Sequence, residues 1–556
     1  MDNRQLSPVV KPETWQIFEL VREAVAGKLR IPNFQRPYVW RREQMRELLD
    51  SIRRRYPIGS LLVWETGGGV SYKTNIGPIR IPDKEESVTS LVLDGHQRIS
   101  TLTGSLFEPS SDCQLEDDPD PGRWEIWFDA KQEDFVHLRK GEQPEAWHFP
   151  MRKLMDTLAF LNECERMKRE GGQDGELFVR RTQELLRVFV DQQIPVVRIK
   201  NTDLLQAVNI FARLNSTGKK ISADEMAEAI TYKEDGKMTL SGHITNLAEM
   251  LDGYGFGKID RTIILRAILA CMGEDIYRTD WTRFDDQQRS ELQRKLDSFI
   301  SATMTAMEHA ADFLNHLGVK HDRLLPYAQQ LVVLTAFFHG CNKPTLQQCE
   351  FLQRWFWVSS FTGWFASGNP SRVSALVREM GDRVAKNPVP IGLENMRMDE
   401  PAQPFPKDFD MRSARTRTWL LLLLSLQPRD IEGNIHEDPW RLVAEHGPNA
   451  VSYLAATVKS KELSASPTNR VLRLNPKDRT QAMNWLTKLR PALSDIILHS
   501  HGIPSNSLPL LSEGDRDGFL QARREYLINL ELNFMKDKGV VPPVDPTPQP
   551  APIDVD

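Results

Sequence analysis

The stretch that decides the N-terminal fold is Leu91-Val92-Leu93-Asp94-Gly95-His96-Gln97-Arg98. A short apolar strand, Ser90 to Leu93, ends at Asp94. Gly95 turns the chain, and a helical pattern runs from Gln97 through Leu106. A strand feeding a helix through a glycine gathers backbone N–H groups and the positive helix end at one point, where an anion is stabilised. Gly95 permits close backbone approach, and Arg98 offers a planar fork that suits phosphate. Asp94, at the carboxyl end of the strand, is placed to hold a metal ion or to position a water or hydroxyl. Spacing alone equally allows a plainer account, in which Asp94 caps the helix and Arg98 pairs with it.

Upstream, Trp15, Phe18, Leu20, Val21 and Val25 recur at helical spacing and predict a helix from about Thr14 to Leu29. Ile31-Pro32 stops it and turns the chain extended. A second amphipathic helix is expected from Arg42 to about Arg55, with Met45, Leu48, Leu49 and Ile52 on one face. Pro57-Ile58-Gly59 ends it, and Ser60 to Trp64 reads as a strand. Between the two helices lies Ile31-Pro32-Asn33-Phe34-Gln35-Arg36-Pro37-Tyr38-Val39-Trp40. Loops held by a scaffold are favoured for ligand contacts. Arg36 suits phosphate, Gln35 a base or ribose edge, and Tyr38 an aromatic stack. Trp40 reads rather as a plug anchoring the loop.

Downstream, Phe107 to Arg123 reads as a surface loop, with strands at Trp124 to Phe128 and Ile194 to Ile199 and helices over 150–192. A third constellation follows at Ile210-Phe211-Ala212-Arg213-Leu214-Asn215-Ser216-Thr217-Gly218-Lys219-Lys220. Its Asn-Ser-Thr-Gly run is an expected helix stop, and Ser222 with Glu225 reads as a capping box. Arg213, Asn215 and Lys219 are placed to close over the same anion. Beyond Ser222 strand signals nearly vanish.

Bulk properties bound the rest. The 556 residues are 40% hydrophobic and 26% charged, as in an ordinary globular protein too long for one core. A net charge of -5 gives no global basic field for nucleic acid, so any DNA contact must come from a local patch. Arg53-Arg54-Arg55 is the first such patch, although interspersed carboxylates favour a solvated helix face. Five cysteines without a C-x-x-C pair argue against a disulfide framework or zinc knuckle. The first twelve residues lack an apolar secretory core, and Trp419 to Leu426 is far short of the ~20 residues that span a bilayer. A cytoplasmic protein with no membrane partner is expected.

Three segments, Q-R-x-Y-x-W at Gln35, L-D-G-H-Q-R at Leu93 and I-F-x-R-L-N-S-T-G at Ile210, occur in that order. They resemble the ParB-like N-terminal domain of GmrSD-type restriction proteins, whose second motif is usually D-G-Q-Q-R; here His96 replaces the first Gln. The resemblance covers about residues 14–235. It implies a ParB- and sulfiredoxin-like domain at 10–225; helical patterning beyond it predicts helical domains at 226–428 and 429–538, and the Pro-rich, acidic end a disordered tail at 539–556, for an α+β chain overall. It further implies binding and hydrolysis of a nucleoside triphosphate with Mg²⁺ in a system that senses or cuts DNA. Asp94 and Arg98 are then the expected catalytic pair, with Asp94 at the metal. Gln35, Arg36, Tyr38, Gly95, His96, Gln97, Arg213 and Asn215 are the expected nucleotide contacts. A partner effector protein and a second copy of the chain stay open as partners. Many relatives carry a C-terminal HNH nuclease. The nearest segment here, Glu445-His446-Gly447-Pro448 with Asn469, lacks a preceding apolar strand and reads on as helix, so an intact HNH site is not expected. His499 and His501 read as capping or packing residues rather than a metal pair.

Overall fold

In a computed structural model of the chain, the residues described are 9–33, 35, 38–66, 72–81, 89–108, 120–139, 141–202, 206–207, 210, 240–277, 286–367, 369–389, 392–455, 457–474, 489 and 493–545, with backbone alone for 241 and 286–297. The chain divides into two compact units, residues 1–241 with 281–284, and residues 242–280 with 285–556.

The first unit is built on a five-stranded sheet. Its strands are β1 (Val9–Gln16), β2 (Leu29–Arg30), β3 (Leu61–Thr66), β6 (Thr89–Asp94) and β10 (Gln193–Lys200), in the order β1-β10-β3-β6-β2. Leu61 to Trp64 of β3 and Leu91 to Leu93 of β6 are all buried, which explains their unbroken apolar runs. β3 and β6 pair antiparallel, and their register slips between Leu62 and Val63, where Leu62 lies opposite Asp94. A slip of this kind bends the strand and re-aims the chain next to it. Here that neighbour is the turn into α3 (His96–Leu106).

Among the described residues, helices α1 (Ile17–Val25), α2 (Arg42–Arg53), α4 (Thr157–Glu170) and α5 (Gly175–Asp191) join α3 in this unit. Met45, Leu48, Leu49 and Ile52 of α2 share one core with Ile17, Leu20, Val21 and Ala24 of α1 and Ile99, Leu102 and Leu106 of α3. Two small sheets flank them, β4 (Asn75–Ile76) with β5 (Ile79–Arg80), and β8 (Asp134–Val136), β7 (Trp127–Asp129) and β9 (His148–Pro150).

Two local expectations are corrected. The helix predicted from Thr14 begins only at Ile17, because residues 9–16 form edge strand β1, paired antiparallel with β10 from Val9↔Lys200 to Gln16↔Gln193. Pro12 is tolerated there because an edge strand need not donate on both sides. The strand predicted at Trp124 starts at Trp127, after a 3-10 turn over Pro121–Trp124.

The second unit is mainly helical, so the chain as a whole is α+β. It spans residues 242–280 and 285–556, and so holds most of the stretch expected at 226–428 and all of that expected at 429–538. Trp355, Phe356 and Trp357 are buried on the helix Leu346–Thr362, and the apolar run from Trp419 lies in the buried helix Ala414–Ser425. Arg415 on that helix forms a buried bidentate pair with Glu531 at 2.6 and 2.8 Å. Among the described residues, no helix is long and apolar enough to cross a membrane. The tail expected to be unstructured from 539 starts ordered. Val540 is buried, and the Val541 carbonyl accepts from Ala402 N at 2.9 Å. Residues 546–556 lie outside the described residues.

Candidate functional site

β6 ends at Asp94, and Gly95 turns the chain with φ 93° and ψ 12°. That left-handed geometry favours glycine, and a Cβ at Gly95 would collide with the Leu61 side chain and approach Arg98 Nη2 to 3.0 Å. Gly95→Ala is therefore expected to cost about 2 kcal/mol, read as a lowered denaturant midpoint of the full chain.

Gly95, at the N-cap of α3, has no side chain with which to cap it. The Asp94 carboxylate is not used as the cap. It is 39% exposed and meets Arg98 Nη2 at 3.2 Å, so it remains open to a ligand. The expected pairing of Asp94 with Arg98 is present, while the expected capping bond is not.

Arg98 is more heavily committed than its sequence position implies. Its Nη1 donates to Ile58 O at 2.7 Å and its Nη2 to Ser60 O at 2.9 Å. Gly59, between those carbonyls, has φ +81°, and a Cβ there would lie 2.7 Å from Arg98 Nη1. The guanidinium thus fastens the turn before β3 to the start of α3. Burial pushes its pKa below the usual guanidinium value, and the charge of Asp94 opposes that.

Gln97 and Gln35 bind their two segments together. Buried Gln97 Oε1 accepts from Val39 N at 3.0 Å and Trp40 N at 3.3 Å. Gln35 Nε2 donates to Leu93 O at 2.7 Å. With Oε1 facing two N–H groups, Nε2 is the Gln97 atom that meets His96 Nε2 at 2.9 Å, so that ring nitrogen accepts. His96 Nε2 carries no proton to offer a phosphate in this arrangement. Thr101 donates to Gln97 O at 2.8 Å, which leaves Tyr38 OH to donate to Thr101 Oγ1, also at 2.8 Å.

The Tyr38 ring stacks obliquely on Trp124, centroids 4.6 Å apart, with the Arg123 guanidinium 5.0 Å from its centre. Tyr38 and Trp40 are half-buried against the core, in keeping with the plug expected for Trp40. Arg36, Arg213, Asn215 and Lys219 lie outside the described residues. The site therefore brings Gln35, Tyr38, Asp94, Gly95, His96, Gln97 and Arg98 to one locus. The carbonyls of Ile58 and Ser60, and Thr101 as a partner of Tyr38, were missed. Thr101 was open to inference, since it stands one helical turn after Gln97.

The Arg53-Arg54-Arg55 patch is neutralised. Arg53 pairs with Asp50 and Glu133, Arg54 with Asp50 at 2.7 Å, and Arg55 with Asp191 at 3.7 Å. The solvated, ion-paired face favoured by the sequence is what these arginines form.

Residues 17–232 match the family model described as "GmrSD restriction endonuclease, N-terminal domain". These residues are a GmrSD-type N-terminal domain. A protein of Methanocaldococcus jannaschii, described as "Uncharacterized protein MJ0686", is similar at 22% identity over 432 residues, 70% of each chain. All the described residues of the GmrSD-type domain's site fall inside the matched span.

Outside that domain, the segments that invited an HNH reading serve the fold. His446 ends the helix Pro439–His446, and a 3-10 turn and the short strand Val451–Tyr453 follow it, not the helix expected. Asn469 is fully buried, accepting from Ala455 N at 2.8 Å and donating to Ala455 O at 3.0 Å. His499 meets Tyr526 OH at 2.6 Å and His501 meets Arg429 O at 2.8 Å, so the two rings have separate partners.

Proposed function

We propose that the GmrSD-type domain binds a nucleoside triphosphate at the Asp94–Arg98 turn and hydrolyses it. In this reading, turnover is coupled to sensing or cleavage of DNA in defence against phage. The observation that carries the proposal is the convergence of two motif segments, Gln35 to Trp40 and Asp94 to Arg98, on the N-terminus of α3. Gln35, Gln97 and Tyr38 hold the frame. The amides beginning at Gly95 and His96 receive the phosphates, with Arg36, Arg213 and Asn215 proposed to close over them.

Among the described residues, no cluster of three metal-ligating side chains occurs. Asp94 is the carboxylate of the turn. This donor set fits Mg²⁺ that arrives with its triphosphate, since that ion commonly takes one or two carboxylates plus phosphate oxygens and waters. When bound, Mg²⁺ supplies charge neutralisation on the phosphates. The domain's own part is to orient: Asp94 positions the attacking water or the ion's hydration shell, and α3 stabilises charge on the phosphates.

Purified full-length protein, offered each of the four nucleoside triphosphates with Mg²⁺, is expected to release phosphate, with and without DNA. Asp94→Asn is expected to slow release by about a hundredfold. Wild type that releases no more phosphate than Asp94→Asn and Arg98→Ala sinks the turnover reading.

One observation favours a second reading. Arg98 already spends its Nη donors on Ile58, Ser60 and Asp94, which suits a site that senses a nucleotide without turning it over and passes the signal to a partner effector. Calorimetric nucleotide binding with no phosphate release selects that alternative.

A further inference from the structure

Within the second unit, a cavity of about 330 Å³ is lined by aromatic rings, free amides and lysines. Trp357 and Phe534 stand edge to face at 4.9 Å along it, and Trp440 lines it as well. Lys320 and Lys538 border the same space, and neither has a carboxylate in ion-pair range among the described residues. Lys538 Nζ sits 5.4 Å from the Phe534 ring centre. Glu437 is the single carboxylate in the lining. Positive charge at the edge of an aromatic-walled cleft of this size suits a planar ligand that carries an anion.

Two glutamines sharpen the match. Gln353 and Gln427 both line the cavity, and neither side-chain amide is hydrogen-bonded among the described residues. Gln427 follows the helix Ala414–Ser425 with φ 54°, at the position past a helix end where glycine is usual. A side chain is thus kept at a backbone conformation that disfavours it, and its amide points to no partner within the protein. An amide can offer both a donor and an acceptor, which is what the edge of a nucleobase requires.

We propose that this cavity binds a nucleotide, with the base against Phe534 and Trp440, its edge on Gln353 and Gln427, and its phosphate on Lys320 and Lys538. A free mononucleotide and an unstacked nucleotide of single-stranded DNA share this chemistry. The site is independent of the Asp94 turn, so its test is run in the full-length Asp94→Asn chain as well as in wild type.

Tryptophan fluorescence is titrated with dAMP, with deoxyadenosine, and with a short single-stranded oligonucleotide in intact and abasic forms. In both backgrounds dAMP is expected to quench. Lys320→Ala with Lys538→Ala is expected to weaken dAMP by about tenfold or more while changing deoxyadenosine little. Gln427→Gly is expected to weaken dAMP by about tenfold while the thermal midpoint holds or rises, because glycine relaxes the left-handed residue. A structural role for Gln427 would instead lower that midpoint. Quenching by the intact but not the abasic strand assigns the source to DNA, and quenching by dAMP alone assigns it to free nucleotide. No quenching by any probe, or affinities unchanged in both variants, overturns the proposal. Quenching that persists in Asp94→Asn while phosphate release is lost keeps this site distinct from the first.

Discussion

Arg523→Met is expected to lower the unfolding free energy of the second unit by roughly 4 kcal/mol. The guanidinium is fully buried and, among the described residues, has no carboxylate partner. It donates instead to four carbonyls, Gly502 O at 3.1 Å, Arg470 O at 2.8 Å, His501 O at 2.9 Å and Thr468 O. Burial alone pushes its pKa down to about 9, which still leaves it charged at neutral pH. Methionine matches the volume but leaves those buried carbonyls without a donor, and an unsatisfied buried polar group costs about 1–3 kcal/mol before relaxation. Urea unfolding of both proteins checks this. A midpoint unmoved by the substitution would show that the four carbonyls find water.

The second large effect is acid sensitivity at His501, whose carbonyl is one of those four. The ring is 2% exposed, and burial together with the Arg523 charge lowers its pKa to about 4, opposed by the bond to Arg429 O. The folded value lies below the ordinary 6.5, so the unfolded chain takes up a proton first as pH falls. Stability from the neutral ring is thus fully present above pH 6.5 and drains away as pH drops toward 4. The total loss is about 3 kcal/mol. His501→Asn is expected to flatten the wild-type decline between pH 6.5 and 4.5 in denaturant midpoints measured side by side. Parallel curves for the two proteins would assign the decline to other groups. Because the Arg523 charge helps depress His501, Arg523→Met is expected to raise the His501 value, so that the decline ends at a higher pH and its total is smaller.

The turn at Gly95 could be read from sequence because strand end, glycine and helix start are neighbours along the chain. β1 could not. Its exposed alternation is weak, Trp15 and Phe18 also satisfy helical spacing, and its partner β10 lies far downstream. At the Asp94 turn, several side chains that the sequence offers to a ligand hold the main chain instead. In the sequence, Gln35 suits a base or ribose edge and Gln97 a nucleotide contact. Their amides instead hold the main chain of Leu93, Val39 and Trp40. A glutamine carries the same donor and acceptor to either use, and backbone partners leave no signature in the residue string. Arg98 reads as a phosphate fork for the same reason: the carbonyls of Ile58 and Ser60 are invisible in a one-dimensional pattern.

That grip of Arg98 on two carbonyls and one carboxylate makes it a fuse between ligand and loop. An anion that draws the Nη groups to itself must hand Ile58 O and Ser60 O back to water. Filling the pocket and loosening residues 56–60 are then two ends of one lever. Amide exchange along that turn would serve as a gauge of occupancy, legible without labelling the ligand at all.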